Sequence, residues 1–96
     1  MKRPKVMIVC GFGLGSSMIL RMTLDEVLSE EKIYAETFCS DINVALGENY
    51  DIVFTSQELE YMFERKPQPR VVIKNFLSKD EIRQKGLELV RKLTGE

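Results

Sequence analysis

The chain has 96 residues, with 14 lysines and arginines against 15 aspartates and glutamates, a net charge of −1, 44% apolar and 30% charged residues. This is the composition of one globular domain, 1–96, and it excludes a disordered tail, a collagenous repeat and a cysteine-stapled miniprotein. The balanced charge excludes a general nucleic-acid binder, which needs a basic surface, and the lack of any histidine excludes a Cys-His pair, a Ser-His-Asp triad or a histidine metal site built within this chain.

Met1-Lys2-Arg3-Pro4-Lys5 is a basic start before an apolar stretch, the outline of a signal peptide. The uncharged stretch 6–20 is shorter than the ~20 residues of a membrane helix and lacks a small-x-small cleavage site, so a cytosolic protein without membrane insertion is expected. Lys5-Val6-Met7-Ile8-Val9 reads as a buried strand ending at Cys10. Leu20, Leu24, Val27 and Leu28 then fall on one helical face, with Arg21, Asp25, Glu26 and Glu30 on the others. The stretch 33–39 reads as a second strand, 41–46 as a short helix, and Ile52-Val53-Phe54 as a third strand. Thr55-Ser56-Gln57-Glu58 has capping-box form and opens a short helix through Tyr61 and Phe63. A polar loop with Pro67 and Pro69 leads to a fourth strand, Val71-Val72-Ile73. Ser78-Lys79-Asp80-Glu81 is a second capping box, starting a closing helix with the stripe Ile82, Gly86, Leu89, Val90 and Leu93. Gly86 on that stripe points to close approach to the sheet.

Strand–helix alternation of this kind predicts an α/β fold: a parallel sheet, helices on both faces, right-handed crossovers. Ligands of such folds bind beyond the carboxyl ends of the strands, here at Cys10, 39–41, 55–57 and 74–75. The informative stretch is Cys10-Gly11-Phe12-Gly13-Leu14-Gly15-Ser16-Ser17, between a predicted strand and a predicted helix. Glycines at alternate positions allow successive N–H groups to turn toward one point. Ser16 and Ser17 can cap the helix, whose N-terminus adds partial positive charge. The product is a cradle for a phosphate-like dianion, with Cys10 at its edge. A helix N-terminus lowers a thiol's pKa from ~8.5, so Cys10 is expected as a thiolate that attacks phosphorus in line.

Three related loops can be set against these residues. The nucleotide-hydrolase loop needs Lys-Ser or Lys-Thr after its last glycine, but Ser16 follows Gly15. The dinucleotide fingerprint needs a third glycine where Ser16 stands; a non-enzymatic nucleotide- or phosphate-binding module stays open as an alternative. The loop of low-molecular-weight tyrosine phosphatases resembles Cys-x5-Arg-Ser, and Ser16 replaces the arginine that clamps transition-state charge; a thiol phosphohydrolase stays open but should be slow. Cys39 ends the second predicted strand and either approaches Cys10 as a redox-sensitive bridge or is an inert, buried thiol.

Strand–Cys-Gly-x-Gly-x-Gly-Ser-Ser–helix resembles the IIB component of the bacterial phosphoenolpyruvate-dependent sugar phosphotransferase system, closest to the ascorbate-type branch with the galactitol-type nearby. The likeness extends to the helix 18–27 and to Asn75-Phe76-Leu77-Ser78. It implies a Rossmann-like or flavodoxin-like sandwich with sheet order 2-1-3-4. It implies that Cys10 accepts phosphate from a phosphohistidine of a IIA partner and passes it to a sugar, ascorbate-like or a pentitol or hexitol, held by a membrane IIC partner. Gly11, Phe12, Gly13, Leu14, Gly15, Ser16 and Ser17 would bind the phosphate. No metal and no cofactor beyond the covalent phosphoryl group is expected, and the protein would meet the membrane's inner face through IIC.

Overall fold

The computed structural model describes residues 3–11 and 14–95, excepting the side chain of Leu14. Strand β1 (Lys5–Val9) leads to helix α1 (Leu14–Glu30), β2 (Glu36–Cys39), a 3₁₀ turn (Ala45–Gly47), β3 (Ile52–Thr55), a 3₁₀ segment (Gln57–Phe63) and β4 (Arg70–Val72). The chain closes with α2 (Lys79–Ile82), a π turn (Arg83–Leu87) and α3 (Glu88–Leu93). All pairings are parallel and the order is β2-β1-β3-β4, the order expected.

β1 is apolar from Val6 onward because both of its faces are covered there. Val6, Ile8 and Cys10 face a core built with Leu20, Leu24, Val27 and Leu28 of α1 and Ile82, Leu87 and Val90 of the closing helix. Met7 and Val9 face Ala45, Tyr50, Leu59 and Phe63, where Tyr50 and Phe63 meet edge to face at 6.3 Å. Helices cover both faces as predicted, but on the second face they are short 3₁₀ pieces.

The second strand begins at Glu36 rather than residue 33, because the chain before it is used to stop α1. Ile33 N–H donates to the Leu28 carbonyl and Lys32 N–H to that of Ser29, the bond pair of a Schellman cap, with Ile33 packed into the same core as Leu28. Lys32 holds the left-handed position at φ 57°, where glycine is usual. The Ser78 cap forms as predicted: its hydroxyl accepts the Glu81 N–H at 3.1 Å. Glu81 reaches past it to the backbone N–H groups of Lys74 and Asn75. The Thr55 capping box does not form. Thr55 belongs to β3 and donates its hydroxyl to the Val9 carbonyl, and the cap position Ser56 makes no side-chain cap bond.

With this order the chain crosses to one side of β1 to make β2 and to the other to make β3. A crevice therefore opens beyond the carboxyl end of β1, and Cys10 is the first residue there.

Candidate functional site

Three hydroxyls tie down the chain as it leaves β1. Thr55 Oγ1 donates to the Val9 carbonyl at 2.6 Å. Ser56 Oγ accepts the Gly11 N–H at 3.1 Å, and Ser17 Oγ accepts the Cys10 N–H at 3.1 Å. Ser17 also hydrogen-bonds the Cys10 sulfur. Cys10 is thus gripped by the first turn of α1 on one side and by the end of β3 on the other. It is 5% exposed.

Burial decides the state of the thiol. Removal from water pushes the Cys10 pKa up to about 11; the Ser17 hydroxyl pulls it down, and the charges of Cys39 and Glu58 push it further up. This runs against the expectation of a largely ionised sulfur: desolvation outweighs the Ser17 hydrogen bond, and burial favours the neutral thiol in the neutral range.

The loop differs from its sequence reading in other ways. α1 begins at Leu14, so Ser16 and Ser17 stand inside its first turn and do not cap it. Ser17 is 1% exposed and its hydroxyl is turned to Cys10. The N–H groups of Cys10 and Gly11 are taken by serine oxygens and do not converge on an open point. Gly11 and Gly15 avoid the left-handed region; among the described residues the glycine with positive φ is Gly95. A Cβ on Gly15 would meet nothing within 4 Å, so glycine there leaves the helix N-terminus bare. The expected roles of Phe12, Gly13 and the Leu14 side chain lie outside the described residues.

Two further groups border the site. Glu58, read from sequence as part of a capping box, is the group that sequence reasoning missed. Its Cβ is 3.6 Å from where a Cβ on Gly11 would stand. Ser40, at the carboxyl end of β2, has a buried hydroxyl with no hydrogen-bond partner among the described residues. Cys39 pairs in register with Ile8 and is half-buried. Both cysteines are free thiols, so the redox bridge is not formed. Burial raises the Cys39 pKa, while Arg21 beside it works the other way. Among the described residues no helix is long and apolar enough to cross a membrane.

Comparison with known proteins fits this geometry. A family model described as the lactose/cellobiose-specific IIB subunit of the PTS system matches residues 5–86. Among solved structures, the lactose-specific IIB component domain of the phosphoenolpyruvate:carbohydrate phosphotransferase system from Streptococcus pneumoniae superposes with a TM-score of 0.61. It is 14% identical, covering 98% of this chain and 97% of that one; the likeness is one of fold. No curated protein matches. Neither match supports the ascorbate- or galactitol-type branch that the loop suggested.

Proposed function

Because the chain belongs to the IIB subunit family of the sugar phosphotransferase system, whose members work in sugar uptake with IIA and IIC partners, we propose that Cys10 carries the phosphoryl group between those partners. The observation that carries the reading is the place of Cys10: at the switch point of the sheet, against the first turn of α1, with its sulfur and its N–H both bonded to Ser17. Backbone and hydroxyl hold the sulfur in one orientation, which an in-line transfer requires.

The raised thiol pKa sets the proton bookkeeping. In the first step the nitrogen–phosphorus bond of a IIA phosphohistidine breaks and a sulfur–phosphorus bond forms. The thiol proton passes to the imidazole nitrogen that lost phosphorus. In the second step that sulfur–phosphorus bond breaks and a sugar oxygen–phosphorus bond forms, and the hydroxyl proton returns to sulfur. A thiol that stays protonated by itself reacts when a partner supplies the proton acceptor. This, with Ser16 in place of an arginine, disfavours a free-standing phosphatase. No cofactor beyond the covalent phosphoryl group is needed. The chain works on the cytoplasmic side and reaches the membrane through IIC. The family description names lactose and cellobiose, so a disaccharide takes precedence over ascorbate-like, pentitol or hexitol sugars.

The test is phosphorylation of variants by a phosphorylated IIA protein. Cys10→Ser should take up no phosphate and Cys39→Ser should match the parent chain. Phosphate on the Cys10→Ser chain would refute the assignment.

A further inference from the structure

The carboxyl end of β3 brings an unneutralised charge to the candidate site. β1 and β3 run parallel with Val9 opposite Thr55, so Cys10 and Ser56 leave the sheet side by side. The Ser56 hydroxyl accepts the Gly11 N–H at 3.1 Å. The chain then turns at once into the 3₁₀ segment Gln57–Phe63. Its first turn is closed by the Leu59 N–H on the Ser56 carbonyl at 3.2 Å and anchored by Leu59 in the core of the second face. Glu58 stands between these two fixed residues and is held over the Cys10 loop: a Cβ on Gly11 would stand 3.6 Å from the Glu58 Cβ. With Ser56, Lys74 and Phe76 it also lines a cleft of about 170 Å³ beyond the ends of β3 and β4.

Neighbouring carboxylates are neutralised. Glu60, two residues on, pairs with Arg70 at 3.2 Å, and Glu81 pairs with Lys85. Glu58 has neither a hydrogen bond nor an ion pair among the described residues, and Lys74 in the same cleft makes none with it. A solvated surface acid needs no partner, but this one acts on the Cys10 sulfur, where its charge opposes negative charge.

Phosphorylation changes what that charge meets. Burial favours the neutral thiol. Transfer from a phosphohistidine breaks the nitrogen–phosphorus bond, forms the sulfur–phosphorus bond and moves the thiol proton to the imidazole. A neutral group is thereby replaced by one carrying about two negative charges, on which a nearby carboxylate acts more strongly than on a single charge. We propose that the Glu58 carboxylate, by repelling the phosphoryl group on Cys10, sets the poise of the carrier. It lowers the share of phosphate that Cys10 draws from IIA and raises the readiness with which Cys10 gives it to the sugar hydroxyl. A carrier that held its phosphate tightly would be a poor donor. Glu58 takes part in no bond that is made or broken and acts through its charge. This deepens the phosphocarrier reading above and rests on it.

The test equilibrates the full chain with phosphorylated IIA and reads the phosphorylated fraction of each protein by intact-mass spectrometry, at low and high salt. Glu58→Gln should raise the equilibrium constant for transfer onto Cys10 about fivefold at low salt, and Glu58→Lys should raise it further. Glu58→Asp, which keeps the charge, should stay near the parent chain. The differences should largely vanish at about 1 M salt, and thermal stability should not follow the series. An equilibrium constant that ignores the charge at position 58, with phosphate still reaching Cys10, would overturn the proposal and leave the phosphocysteine standing. So would an unmoved constant with slower transfer to the sugar alone, which would make Glu58 a base for the sugar hydroxyl. A parent chain that never carries phosphate on Cys10 would refute the phosphocysteine itself and the proposal with it.

Discussion

Ser17 and Glu58 act on Cys10 with opposite signs. The Ser17 hydroxyl donates to the sulfur and favours the thiolate; the Glu58 carboxylate across Gly11 disfavours it. Glu58→Gln should therefore shift the pH profile of iodoacetamide alkylation downward from its midpoint near pH 11, and Ser17→Ala should shift it upward. In the neutral range the thiolate fraction, and with it the alkylation rate, changes about tenfold for each pH unit by which the midpoint moves. Identical profiles in both variants would remove these two contacts from the account. The place of Cys10 at the carboxyl end of β1 was legible in the sequence because an apolar run followed by spaced glycines and a helical pattern puts the strand's end there. The protonation state of its thiol was not. A helix N-terminus is visible in one segment, but burial comes from α1 closing over the sulfur and from residues around 56–59 arriving from β3. Glu58 was hidden for a related reason: the same four residues spell a capping box, and β3 took Thr55 for itself.

At the scale of the element, the closing helix holds the clearest case of packing overriding pattern. The stripe Ile82, Gly86, Leu89, Val90 and Leu93 assumes a regular helix. The π turn at Arg83–Leu87 inserts a residue, brings Leu87 into the core and leaves Leu89 and Leu93 half-buried against it. Gly86 lies in that turn because the sheet leaves no space for a side chain: a Cβ would stand 2.5 Å from Phe54 Cζ and 3.3 Å from Val71 Cγ1. Phe54 is fully buried and cannot swing away. Gly86→Ala should cost about 1–3 kcal/mol from overpacking, exceeding the ~1 kcal/mol that alanine gains in a helix. Gly15→Ala, with open space around its Cβ, should gain up to about 1 kcal/mol. Urea denaturation of both variants checks the contrast, and a stabilised Gly86→Ala chain would contradict the close approach. The close approach itself was legible from Gly86; the π turn was not, since it arises from the fit of the whole helix against Phe54 and Val71.

Across the whole molecule, a network of ion pairs fastens the closing helix to α1. Lys79, Arg83 and Arg91 meet Glu26, Glu30 and Glu31. These pairs are exposed and each is worth little to stability, but together they neutralise the acidic end of α1 and orient one helix on the other. The alternation of strands and helices predicted the layers; the sheet order came from the resemblance and the structure bears it out. The second face is thinner than the pattern implied because 3₁₀ turns, with only Ala45 in one and Leu59 and Phe63 in the other buried, suffice to cover Met7, Val9 and Val53. The IIB family was legible in the Cys10 loop; the ascorbate- or galactitol-type branch read from the same residues was not supported, since the matching family model is of the lactose/cellobiose type. The relay is tested most directly by incubating the chain with phosphoenolpyruvate, the general phosphotransfer proteins and IIA, then locating the modification by tandem mass spectrometry. The account predicts one phosphoryl group, on the Cys10 sulfur, that leaves when IIC and its sugar are added. Phosphate on Cys39 or on a loop serine, or an unmodified chain beside a fully phosphorylated IIA, would contradict it.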